Sequence, residues 1–161
     1  LFRSWNLYTG EWIGIGVLTL FSLAIAARGL FNFWTIQHRR RARKRFRQQR
    51  ERLEARFFDI AAATGKPRGL RWVDIDFDDA VCFAMDRDKK QLLALVAVTI
   101  GFEAIEGGGM EEVEAVGNLR AATALFHLDG HWWSTNGRVL FNLEPDEALS
   151  RLDGVMERVA D

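Results

Sequence analysis

The sequence predicts an α+β protein: one N-terminal transmembrane helix, a basic juxtamembrane helix, then a mostly antiparallel β-sheet domain of about six strands with a C-terminal meander and a C-terminal helix. Three observations carry that reading. Residues 12–27 form a run without a single charge. Charge is then sorted along the chain: residues 38–56 hold ten Lys or Arg against two Glu, and residues 57–161 hold ten basic against nineteen acidic side chains. The formal neutrality of the 161 residues conceals this division. Past Arg68 the apolar period changes from that of a helix to two, the mark of strands. The expected organisation is a membrane segment at 1–37, a basic helix at 38–65 and an α+β domain at 66–161.

The membrane segment follows from length and flanks. Trp12 to Trp34 as a helix rises about 33 Å, close to the hydrocarbon thickness of a bilayer. An indole at each end suits the membrane interface. Thr19, Ser22 and Asn32 are too few to make the polar face of a soluble helix. A cleaved signal peptide carries its positive charge before the apolar run, whereas here Arg39, Arg40 and Arg41 follow it. Positive flanks stay inside, so the expected N-terminus is external. The domain after His38 is expected in the cytoplasm, at a bacterial-type inner membrane. Arg28 lies about 9 Å of helix rise before Trp34, within snorkelling reach of the inner headgroups; a pair with a neighbouring helix is the alternative. Gly10 and Gly14, four apart, offer a close-packing face to another helix. With no histidine inside the span there is no axial ligand for a haem, and no cofactor is expected.

The basic segment reads as a continuing helix with Phe46, Leu53, Phe57 and Ile60 on one stripe, ended by Gly65 and Pro67. Anionic lipid headgroups are its expected partner, at about 1 kcal/mol per basic residue near the surface. Nucleic acid is disfavoured, because Phe46 alone interleaves the basic run and stacking platforms need more aromatics.

In the domain, alternation predicts a strand over 73–77, a second strand is expected over 81–85, and the mostly apolar run 92–102 is expected to be a long third strand buried on both faces. Strands over 121–128, 131–135 and 138–143 are separated by Asp129-Gly130 and Asn136-Gly137, dipeptides that favour two-residue hairpins. A helix is expected from Pro145, with Leu149, Leu152, Val155, Met156 and Val159 on its apolar face. Both flanking helices are expected on one face of the sheet.

No motif names a reaction. Cys82 is the sole cysteine, which excludes an intrachain disulfide and any CxxC site, and it reads as a small buried hydrophobe. His127 and His131 flank a turn, but their registers put them on opposite faces and disfavour a shared metal. Asp74, Asp76, Asp78 and Asp79 read as a solvated edge strand, with a hard-cation site as the alternative. Gly107, Gly108 and Gly109 sit among glutamates that would repel a phosphate. Trp132 and Trp133 are adjacent and point to opposite sides, one into the core; this pair is the expected protein contact. The leading expectation is a non-catalytic single-pass accessory or structural subunit of a larger inner-membrane complex, of respiratory or photosynthetic type, with other integral membrane subunits as partners. The alternatives are a membrane-tethered ligand- or protein-binding module and an enzyme using a metal on the acidic strand.

Overall fold

The computed structural model describes residues 5–64, 68–109 and 119–159, with the backbone alone described at 5–19, 31 and 32. The architecture is α+β: a long helix α1 (Trp5–Ala63) precedes a six-stranded antiparallel sheet. Contacts divide the chain into two compact units, Leu1–Lys44 and Arg45–Asp161. The last turns of α1 therefore belong with the sheet. Among the described residues no helix is long and apolar enough to cross a membrane. The expected span at 12–34 begins with eight residues whose side chains lie outside the described ones.

In the first unit, Leu20, Phe21, Leu23, Ile25, Leu30, Phe33 and Trp34 are each between 58% and 72% exposed. At about 100° per residue these positions sweep the whole circumference of the helix rather than one stripe.

In the second unit the strands are β1 (Leu70–Asp86), β2 (Leu92–Ala104), β3 (Arg120–Asp129), β4 (Trp132–Ser134), β5 (Val139–Phe141) and β6 (Met156–Arg158). Their order is β4-β3-β2-β1-β6, with β5 also paired to β3. The mostly apolar β2 lies between β1 and β3 and is buried along most of its length. The buried stripe of α1 is Phe46, Leu53, Phe57 and Ala61. Phe46 meets Phe83, Phe126 and Trp133 edge-on, with ring centroids 5.0–6.0 Å apart. Phe57 continues the layer, tilted against Phe126 and edge-on to Phe77. Such edge-to-face geometry sets the positive ring edge against the negative face of its neighbour.

Five expectations change here. The strands expected at 73–77 and 81–85 are one strand, β1, bent by register shifts at Trp72/Asp74 and Phe77/Val81. A bulge lets a long strand turn without leaving the ladder. The two helices do not share a sheet face. Those facing α1 are Phe83 and Phe126, whereas α2 (Pro145–Arg151) packs with Ala84 and Leu125, the next residues along the same strands. Successive side chains alternate across a sheet, so α1 and α2 cover opposite faces.

The helix expected to reach Val159 stops at Arg151, and Met156–Arg158 instead pairs with β1 as β6. Gly154 separates the two, and Met156 enters the α2-side core from a strand. The meander is also absent. β5 does not fold back on β4; both lie on the same edge of β3, opposite Ala122–Ala124 and His127–Asp129 respectively. Between them Thr135 Oγ1 donates to the Leu125 carbonyl and accepts from the Gly137 amide. Asn136-Gly137 is thus a jog in one edge. Gly137 has φ +69°, and a Cβ there would lie 2.8 Å from the Ala61 amide nitrogen of α1. Finally, the β3–β4 turn is centred on Gly130 and His131, with Asp129 opposite Trp132, two residues out from the expected register.

Candidate functional site

Three polar constellations among the described residues of the Arg45–Asp161 unit bear on function. On the α2-covered face, a cleft of about 280 Å³ is lined by Asp86, Lys89, Gln91, His127, Asn136 and Arg138, over a floor that includes Leu93 and Leu125. His127 reaches it because it is the alternate neighbour of Phe126 on β3, opposite Leu93. Burial holds the His127 pKa below the ordinary value; Asp129 opposes that shift and Lys89 adds to it. Gln91 Nε2 is committed to the Leu128 carbonyl, and Asp86 Oδ1 accepts from the amides of Asp88 and Lys89. Lys89 and Arg138 bring positive charge, the Asp86 carboxylate negative charge and His127 an imidazole. The two cations outnumber the one carboxylate, so the set can bind a small anion.

On the other face, a groove of about 320 Å³ runs between α1 and the edge strand β4. Gln49, Arg52 and Arg56 come from the helix, and Asp129, Trp132 and Ser134 from the hairpin. With Arg45, the helical contributors fall at intervals of four, three and four, one face of an α-helix. Arg45 Nη1 donates to the His131 carbonyl at 3.3 Å and ties the hairpin turn to that face. Trp133 is 5% exposed and lies in the core against Phe46, whereas Trp132 is 71% exposed.

The third constellation joins Cys82, Asp146 and Arg158. Cys82 Sγ donates to Asp146 Oδ1 at 3.6 Å, and Arg158 pairs with the same oxygen. Burial pushes the thiol pKa up, and the Asp146 charge raises it further. Arg158 holds the Asp146 carboxyl below its ordinary range. A thiol kept protonated is a poor nucleophile; the cluster pins α2 to β6 and β1. Residues 64 and 12 positions apart meet here, and no local pattern announces them.

No group of three or more potential ligands for a metal occurs among the described residues. Asp74 Oδ1 accepts from the Ile75 amide and Asp78 Oδ1 from the Ala80 amide. These carboxylates shape the bent β1 backbone. His131 lies in the turn, and His127 lies in the cleft behind the sheet.

Of the residues singled out in the sequence, Gly10, Gly14 and Trp12 lie on the α1 backbone, with side chains outside the described residues. Arg28, Trp34, Arg40 and Arg41 are exposed and Arg39 is half-buried. The stripe of Arg45, Gln49, Arg52 and Arg56 was legible in the sequence as a helical period, yet nothing there paired it with Trp132. Comparison with family models, curated proteins and solved structures finds no match to this chain.

Proposed function

We propose that this protein is a single-pass, non-catalytic accessory subunit of a larger membrane complex. Residues 12–34 would anchor it in a bacterial-type inner membrane, N-terminus outside, and hold the Arg45–Asp161 unit at the cytoplasmic surface. The observation that carries the reading is the exposure of Leu20, Phe21, Leu23, Ile25, Leu30 and Phe33 around the full circumference of α1. Water penalises such a surface by about 25 cal/mol per Å² of apolar area, whereas lipid tails or neighbouring apolar helices do not. Arg39, Arg40 and Arg41 just beyond Trp34 support the inside assignment.

Three measurements test it. Membranes washed with alkaline carbonate should retain the protein, and protease added outside intact cells should spare its sheet. Extraction in mild detergent should then yield an assembly larger than the chain alone. Release by carbonate, or recovery only as a lone monomer, rejects the anchor or the complex respectively.

A second reading, a membrane-tethered binding module, draws on the cleft of about 280 Å³ with Lys89, Arg138 and His127. Native mass spectrometry of the purified protein should find a bound small anion if this is its role. Spectra containing the bare chain alone count against it.

A further inference from the structure

The Arg45–Asp161 unit carries opposite charge on its two flanks, at one height along α1. On the β4 flank, Arg52 and Arg56 are exposed on the groove, and no ion pair of either occurs among the described residues. Asp129 is the one carboxylate lining that groove. On the β1 flank, Asp74, Asp76, Asp78 and Asp79 are exposed. Arg50 of the same helix donates to the carbonyl oxygens of Asp78 and Asp79, the latter at 2.8 Å. Its guanidinium also stands 3.8 Å from the Asp79 carboxylate. Arg50 therefore marks the level of the acidic edge, and Gln49 and Arg52 mark that of the groove. The two lie within a turn of each other along the helix axis.

Both flanks are also sheet edges. β4 is the end strand of the sheet. On the other side β6 covers β1 only at Ala84, Met85 and Asp86, so among the described residues the acidic stretch pairs with β2 on its inner side and has no strand on its outer side. Acidic edges repel one another, and so do basic grooves, so a symmetric pairing of identical flanks is disfavoured. A head-to-tail contact meets both charges.

We propose that copies of this chain associate side by side, the acidic β1 edge of one copy docking at the Arg52–Arg56–Trp132 groove of the next. Because both surfaces lie at the same height on α1, the contact repeats by displacing one copy sideways without inverting it. The contact is heterologous, so it builds rows or rings rather than a closed twofold dimer. Trp132, exposed at the groove, supplies the apolar area that charge alone does not. This goes beyond the accessory role: it concerns Arg45–Asp161 and names a second copy as partner.

The test uses the full chain in neutral detergent micelles, followed by sedimentation velocity. The wild type should associate with rising concentration at low salt and dissociate as salt shortens the Debye length to about 3 Å near 1 M. R52E/R56E and D74K/D76K should each weaken association at least about tenfold, by the like-charge rule for facing groups. An equimolar mixture of the two variants should restore it, because each then offers the flank the other needs. Wild-type monomers at every concentration overturn the proposal. So does association indifferent to both reversals, or a mixture no stronger than either variant alone. Should a reversal fail to fold, R52Q/R56Q and D74N/D76N read the same loss. Carbonate retention is measured separately, so a failed anchor and a failed contact are distinguishable.

Discussion

One helix serves two different surroundings. Between Leu20 and Ile36, α1 exposes large apolar side chains on every side. Between Arg45 and Ala63 the same helix buries one narrow stripe, Phe46, Leu53, Phe57 and Ala61, and covers the rest with charge. Hydrogen bonding along the backbone is alike in both stretches. The difference is what the side chains meet: a sheet on one side of the second stretch, and no described protein surface around the first. Amphipathicity thus reports the solvent rather than the helix, and a helix apolar all round belongs in a wholly apolar setting.

Substitutions in the two stretches should separate these roles. The largest effect is expected from Phe46→Ala, which removes the ring shared by Phe83, Phe126 and Trp133. A loss of about 3–5 kcal/mol in urea unfolding is expected from the cavity left behind, with membrane retention unchanged. Leu23→Arg should do the reverse. A cation at the centre of a lipid-solvated helix costs about 3 kcal/mol, read as a smaller carbonate-resistant fraction, while urea unfolding of the sheet stays as it was. If Leu23→Arg leaves retention intact, the first stretch is not lipid-solvated and the contrast between the stretches fails.

Gly137→Ala probes how closely the second stretch lies on the sheet. The residue has φ +69°, and its new Cβ would face the Ala61 amide at 2.8 Å. A destabilisation of about 1–3 kcal/mol is expected by urea unfolding, from left-handed backbone strain and forced separation. The smallest effect is pH-dependent. Burial lowers the His127 pKa, so the unfolded chain takes up the proton more readily than the fold. The stability linked to His127 is complete above the ordinary histidine pKa of about 6.5 and drains as pH falls through the folded value. His127→Asn should flatten that dependence between pH 7.5 and pH 5. An unchanged slope would place the titrating group elsewhere.

Much of the sheet was legible because its signals are local. The apolar run of β2, the alternation along Val73, Ile75 and Phe77, and Pro145 opening a helix each act within a few residues. The errors lie where two local patterns were equally good. Val155, Met156 and Val159 suit an apolar helix face, but they also suit a short strand. The free backbone beside Ala84 and Met85 decides for the strand. Asn136-Gly137 suits a hairpin, yet β3 offers an edge long enough for β4 and β5 in succession, and α1 requires a glycine there. Six strands were expected and six occur, for different reasons: two merged into β1 while β6 was gained from the expected helix.

By itself the sequence determined the uncharged run before the arginines, the helical stripe of Phe46, Leu53 and Phe57, the antiparallel class of the domain and the opposite orientations of Trp132 and Trp133. Each follows from the period of a single element, which a side chain obeys wherever the element goes. Only the tertiary structure decided that α1 and α2 cover opposite faces, that Cys82 meets Asp146 and Arg158, and that Arg52 and Arg56 flank Trp132 while acids line the far edge. Those are relations between elements, set by which strand edges and faces remain unpaired once the ladder has formed.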